Sequence, residues 1–403
     1  MKKNVAVIGG GAAGFFAAAS VKAHHPTATV SLFEKSSKLL AKVKVSGGGR
    51  CNVTHACYKA YELAQYYPRG AKQLRKVFDQ FNVNDTIDWY QSRGVELKTE
   101  PDNRMFPVTD NSKTIIDVLQ AELKRHGIPV YTKKRVEAIK TTSGLALQIG
   151  GQCQSFSHVI IATGGSPKLA GFDWLKALGH RIELPVPSLF TFNMPQESIT
   201  KLMGLSVSHA KVKVLGTKLV QEGPLLITHW GMSGPAILKT SAWGARWLAE
   251  KNYDFTLQVN WLGDLTEETL KSQIEQQIIQ FGKRMIKNKN PFDLPERLWL
   301  FILEKLAILA DKPWAELSKK AKNRLTNALL NDQYQVKGKT TFKEEFVTCG
   351  GISLADVTMK TMESKQVPNL YFAGEVLDID GVTGGFNFQA AWSTAFVAGR
   401  LSH

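Results

Sequence analysis

Residues 4–8 (Asn-Val-Ala-Val-Ile) are apolar without alternation, which predicts a short strand buried on both faces. A glycine turn follows, and then an apolar run of helical length, Gly14–Ala23. Thr29–Phe33 predicts a second buried strand ending at Glu34, so the opening unit is β-α-β. Residues 71–93 and 112–126 carry apolar positions at helical spacing, the second closed by Gly127 and Pro129. Val136–Ile149 predicts a hairpin with Ser143 and Gly144 in its turn. His158–Ala162 predicts another buried strand, running into Thr-Gly-Gly.

After Pro185 and Pro187 the texture changes. Residues 189–263 predict short strands, such as Ala210–Leu215 and Phe255–Trp261, and residues 264–332 predict helices rich in Glu, Gln, Lys and Leu. Leu370–Ala373 is one more buried strand, followed by glycine turns and a last helix over Ala390–Leu401. The pattern predicts an α/β fold in three parts. A Rossmann-like nucleotide-binding domain takes residues 1–188 and 346–403. An inserted β domain takes 189–263 with 333–345, and an inserted helical domain takes 264–332.

Composition narrows the class. A chain of 403 residues is too long for one small core, and 43% hydrophobic with 21% charged residues is ordinary for a globular protein. No apolar run is long enough to span a bilayer and no signal peptide opens the chain, so a cytoplasmic protein without a membrane partner is expected. Cysteine occurs without C-x-x-C pairs or zinc spacing, so no metal site is expected, and Cys153 and Cys349 read as small buried hydrophobes. The net charge of +16 points to a polyanionic partner. Lys35, Lys38, Lys42, Lys44, Arg50, Lys59, Arg69, Lys72, Arg75 and Lys76 face a single acid in their stretch, Glu62. The plainer alternative is a solvated basic face.

Four motifs carry chemistry. Gly9-x-Gly11-x-x-Gly14 sits between a strand and a helix, with Glu34 about twenty residues further on at the end of the next strand. The glycines allow a tight turn, close approach of a pyrophosphate and close helix packing, and the carboxylate suits ribose hydroxyls. Ala162-Thr163-Gly164-Gly165 lets backbone pass close to a dinucleotide. Gly374-Glu375, then Gly384-Gly385-Phe386-Asn387, give a second glycine turn before a helix near the C-terminus, which FAD uses and NAD does not need. Ser46-Gly47-Gly48-Gly49-Arg50-Cys51-Asn52 reads as backbone pressed against a flavin, with Arg50, Cys51 and Asn52 presented to a substrate. Cys51 is the first candidate acid, with packing as its bland reading. Arg50, Arg104 and His229, the last in Thr-His-Trp-Gly, are candidates for holding an oxyanion or phosphate.

At this level of detail the chain resembles the HI0933-like flavoproteins, a family that includes aminoacetone-oxidase-like enzymes. The resemblance rests on VAVIGGGAAG (5–14), KVSGGGRCNVTH (44–55), NRMFPVTD (103–110), VIIATGG (159–165), LLITHWGMSGPAIL (225–238), TCGGIS (348–353) and the block 369–399. It implies an FAD domain with inserted β-barrel-like and helical domains, and it adds Ala13, Lys35, Lys42 and Val136 to the residues expected to line the cofactor. No second G-x-G-x-x-G is present, so NAD(P)H is expected only as a transient electron donor. Family activities include reduction of conjugated C=C bonds in steroid-like acids, amine oxidation, and reduction of a uridine in 23S ribosomal RNA to dihydrouridine. Three substrate readings follow: ribosomal RNA or its precursor, favoured by charge; a small enone or amine; and a non-catalytic, flavin-loaded RNA-binding factor. Cys349 and His55 stand where the family often has Ala and Asn.

Overall fold

The computed structural model describes residues 2–142, 144–288, 290–341 and 347–402. The chain divides into two compact units, residues 1–188 with 342–403, and residues 189–341. Ser143 of the expected hairpin turn and residues 342–346 at the expected domain junction lie outside the described residues.

The first unit is organised on a seven-stranded sheet. Its central strands are β1 (Asn4–Ile8), β2 (Thr29–Phe33), β3 (His158–Ile161) and β4 (Leu370–Phe372). They run parallel in the order β4-β3-β1-β2, with Val7 opposite both Ile160 and Leu32. Val130–Tyr131 extends the sheet beyond β2 in parallel. Glu363–Ser364 and Val357–Thr358 cap the β4 edge antiparallel. The β1 and β3 side chains are buried almost throughout, as a parallel sheet covered on both faces requires.

Helix α1 (Ala12–His24) connects β1 to β2, and Ala13–Val21 is buried without a break. That run is mostly Ala, Gly and Ser, so its neighbours approach closely. The single helix expected over 71–93 is two helices, α2 (Ala71–Phe78) and α3 (Val83–Gln91). Asn82 stops the run: its side chain accepts from Asn84 N at 2.8 Å, while Asp85 accepts from Asn82 N at 2.7 Å, a reciprocal cap that starts a new helix. Helix α4 (Ser112–Arg125) follows. The last helix, α5 (Phe386–Gly399), begins four residues before the expected Ala390 and packs along α1.

The second unit carries a seven-stranded antiparallel sheet, led by Asp332–Lys337, Asp254–Asn260, Ser206–Val214 and Val220–Thr228. Residues 189–263 are not all strand: Pro235–Trp243 is a helix with proline in its first turn. Helices Glu267–Phe281, Glu296–Lys305 and Lys319–Leu330 share one core with the sheet, joining Val212, Leu257 and Trp261 to Leu298, Trp299 and Leu325. Cys153 is exposed on the edge strand Gln152–Phe156, not buried as expected, whereas Cys349 is buried. Among the described residues no helix is long and apolar enough to cross a membrane.

Two buried charge arrangements brace the first unit. Arg69 pairs with Asp380, which is fully buried and also accepts from Ser188 Oγ at 2.6 Å. Removing one partner of such a pair leaves a buried charge, so Arg69→Met is expected to cost on the order of 3–5 kcal/mol in urea titration. Adding Asp380→Leu should recover part of that loss; a single-mutant loss under about 1 kcal/mol would remove the brace. On α4, Glu122 is buried. Burial raises its carboxyl pKa, but Arg125 and Arg93 outweigh that and hold it down to about 2, from the ordinary 4.5. Depression means the ionised form favours the fold. The contribution is complete above the unfolded value and fades as pH falls from about 4.5 towards 2. Between pH 5 and 2, the wild type should therefore lose on the order of 2 kcal/mol more than Glu122→Gln does. Parallel stability curves would show that Glu122 makes no such contribution.

Candidate functional site

The site begins where β1 runs out. Gly9 N donates to Phe33 O at 2.8 Å and Ala162 N donates to Ile8 O at 2.8 Å, so three strand ends meet at one turn. A Cβ on Gly9 would stand 2.3 Å from Ala162 O, and one on Gly14 would stand 1.8 Å from Gly9 O. Gly11 differs. Its φ is −95°, which any residue adopts, and a Cβ there would meet nothing within 4 Å. Neither backbone nor packing requires glycine at this position. The open space lies at the N-terminus of α1, which has no acidic residue in its first turn and no side-chain cap. Unpaired N–H groups and the helix dipole together suit an anion there.

Glu34 stands over the same turn. Its two oxygens accept from Gly10 N at 2.7 Å and Ser36 N at 2.8 Å. Ala13 packs beneath Gly374, whose N–H donates to Thr394 Oγ1 at 2.9 Å. Lys35 is exposed, and Val136 is half-buried at the start of its strand.

The Ser46–Asn52 segment is a break in a helix. Ala41–Gly49 loses helical geometry at Ser46, and Gly47, Gly48, Gly49 and Cys51 then take positive φ values of 57°, 69°, 85° and 62°. Positions 48 and 49 have no neighbour within 4 Å of a notional Cβ, and the same holds at Gly164, which follows Thr163. Gly165 is crowded instead, by Thr348 and Glu375. Glu375 accepts from Thr348 N at 2.8 Å and pairs with Lys42 at 2.6 Å. Thr348 Oγ1 is buried with no hydrogen-bond partner among the described residues, a group that a bound ligand or water satisfies.

The C-terminal glycine turn closes on the same segment. Gly384 and Gly385 have φ of 129° and 92°, and Gly385 caps α5. With its amide oriented to satisfy its neighbours, Asn52 accepts from Gly385 N at 3.0 Å and donates to Thr54 O and Met105 O at 2.9 and 3.2 Å. Asn387 bonds Gly381 through both its oxygen and its nitrogen, at 2.9 and 3.0 Å. Both asparagines hold the turn. Asn52, expected to face a substrate, is buried and occupied by backbone, so it is a positioning residue. Phe386 is buried beneath Tyr66 and His55, with ring centroids 4.3 and 4.5 Å away.

The catalytic expectations need further correction. Cys51 has no exposed surface, and burial pushes its thiol up to about 12 against a lowering contact with Ser46. Its side chain is packed inside the protein, away from the surface where a substrate was expected to meet it. Arg50 and Arg104 are brought together: both pair with Glu100, at 2.6 and 3.2 Å, and both guanidinium groups lie over the Phe106 ring, at 3.9 and 5.4 Å. Arg50 also approaches Asp110, and Arg104 pairs with Asp102. His229 belongs to the other unit, exposed in the turn between Val220–Thr228 and Gly231–Ser233 beside Trp230. Arg69, read as part of the basic surface, is committed to Asp380. Sequence reasoning gave no site role to His55, whose Nδ1 lies 3.0 Å from Gly384 O, nor to Thr348 and Tyr66. The first two sit inside the specific blocks 44–55 and 348–353, which was the available signal.

Comparison with known proteins gives the family. A family model described as the HI0933-like protein Rossmann domain matches residues 3–401. Ribosomal RNA dihydrouridine synthase of Escherichia coli strain K12 is 30% identical over 407 residues, covering 98% of this chain and 96% of that protein. The 3-dehydro-bile acid delta(4,6)-reductase of Clostridium scindens is 26% identical over 407 residues, covering 99% and 98%. Among solved structures, the open conformation of a flavocytochrome c3 fumarate reductase covers 99% of this chain and 77% of that one, at 16% identity and a TM-score of 0.47. With the family match running nearly end to end over a strand–glycine turn–helix built to receive a dinucleotide, the chain belongs to the HI0933-like family and is an FAD-dependent oxidoreductase.

Proposed function

We propose that the chain reduces an activated carbon–carbon double bond, and that its substrate is a uridine in 23S ribosomal RNA. When bound and reduced, FAD would supply the hydride, with NAD(P)H the transient donor that reduces it, and a water molecule would supply the proton that saturates the neighbouring carbon. Gly9, Gly11, Ala13 and Gly14 would hold the pyrophosphate at the N-terminus of α1, and Glu34 would accept ribose hydroxyls. Ser46–Gly48, Ala162–Gly165, Gly374–Glu375 and Gly384–Asn387 would close on the rest of the cofactor, with Lys42 reaching it through its pair with Glu375. Arg50 and Arg104 would hold the developing negative charge of the substrate carbonyl, since both guanidinium groups lie over one aromatic ring.

The observation that carries the RNA reading is charge. The chain has a net +16, and Lys72, Arg75 and Lys76 stand exposed on α2 with no ion pair among the described residues. Similarity to the dihydrouridine synthase supports the same reading. Similarity to the bile-acid reductase favours a second one, a small conjugated ketone.

Mass spectrometry of ribosomal RNA from a deletion strain separates them. Loss of one dihydrouridine is expected, and an unchanged modification map would leave the small molecule. The cofactor assignment is tested by Gly11→Val, which fills the open space at the head of α1. The purified variant should be folded and colourless, whereas the wild type is yellow with FAD released on denaturation. Full flavin retention by Gly11→Val would overturn the placement of the pyrophosphate.

A further inference from the structure

We propose that the face carrying Tyr58, Tyr61 and Tyr66 beside Lys72, Arg75 and Lys76 receives an unpaired stretch of RNA, whose bases stack on the tyrosines as the strand enters the site. The proposal rests on the RNA reading above and specifies the state of the RNA that is bound.

Large aromatic side chains are costly to leave in water, yet within nine residues Tyr58, Tyr61 and Tyr66 are 47%, 61% and 38% exposed. The short helix Ala60–Ala64 that carries Tyr61 packs on α2, whose outer face is Lys72, Arg75 and Lys76. The Arg75 guanidinium lies 5.6 Å from the centre of the Tyr61 ring, so ring and cation form one surface. Between residues 58 and 79 the acids are Glu62 and Asp79, and Glu62 is taken by Lys59 at 2.9 Å. Cations beside open aromatic faces match single-stranded nucleic acid: phosphates meet the cations and bases meet the rings. A paired duplex has no free base faces to offer, so it would leave the tyrosines without a task.

The inner end of this face is fixed to the site. Tyr66 stacks on Phe386, the first residue of α5, with centroids 4.3 Å apart and planes 11° from parallel. Its carbonyl accepts from Val382 N at 2.9 Å, and the hydroxyl of neighbouring Tyr67 donates to Phe386 O at 2.6 Å. The segment is thereby tied at three points to the glycine turn that heads α5. A base resting on the outer face of Tyr66 continues a stack that already ends at that turn.

The test uses the FAD-loaded full chain and fluorescence anisotropy with a labelled ten-nucleotide oligouridylate, alone and annealed to its complement. Tyr58→Ala and Tyr61→Ala are each expected to weaken single-strand binding about tenfold, with Tyr→Phe at either position binding as the wild type does. Lys72, Arg75 and Lys76 replaced together by Ala should flatten the salt slope by up to about 2 units. The flavin absorbance spectrum reports that each variant remains folded. Wild-type affinity in both alanine variants, with salt-dependent binding intact, overturns the stacking face and leaves the RNA reading standing. Equal affinity for duplex and single strand overturns it likewise. If the wild type binds intact ribosomal subunits and ignores the oligonucleotide, the proposal falls.

Discussion

The start of α1 meets the turn after β1 with no room for a methyl group at Gly14 or Gly9, and the rest of the first unit depends on that closeness. A Cβ on Gly14 would collide with Gly9 O, and one on Gly9 would collide with Ala162 O. Packing alone already requires these two residues to be glycine. They bring the end of β3 against the turn, set α1 down on the sheet and aim its N-terminus at Gly11, the one member of the triad that nothing in the protein fills. Glu34 comes to the same place because β2 pairs with β1 in parallel, Ile8 opposite Phe33. The binding function is thus a by-product of a steric constraint.

A second set of contacts holds the C-terminal half of the site against the N-terminal half. Lys42 reaches Glu375, Asn52 reaches Gly385, Thr54 reaches Gln389 at 2.6 Å, and the Trp392 indole donates to Val53 O at 3.0 Å. Most of these side chains lie in or beside the 44–55 block, so its specificity is explained by structure more than by contact with substrate. This is also why reading chemistry directly from Arg-Cys-Asn overreached. Of the three, Arg50 alone keeps a partly exposed side chain.

What could be read in the residues follows from how local the cause is. The β-α-β unit, its glycines and Glu34 are legible because strand, turn and helix lie within about thirty residues and each position has its own steric reason. The break at Asn82 was equally local, an Asn with Asp three residues on, and was hidden only by apolar spacing that happened to continue across it. The helix at Pro235 was masked by strand-like neighbours despite the proline that starts it. Arg69 and Cys51 were not legible in principle. The partner of Arg69 lies 311 positions away, and nothing in the residues around Cys51 announces that its side chain is fully buried. Side-chain type announces what a residue can do, and only tertiary structure decides whether it meets solvent.

The parallel order β4-β3-β1-β2 has a consequence for how the chain is made. Its fourth central strand and the helix that covers α1 are encoded after residue 341, behind the whole of the second unit. At a synthesis rate of about 5–20 residues per second, roughly ten to fifty seconds pass between the emergence of β3 and that of α5. Through that interval β3 offers an unpaired edge and α1 an uncovered apolar flank. Other chains able to pair with that edge compete meanwhile with the chain's own later strand, a hazard set by the order of synthesis and not by the stability of the finished sheet.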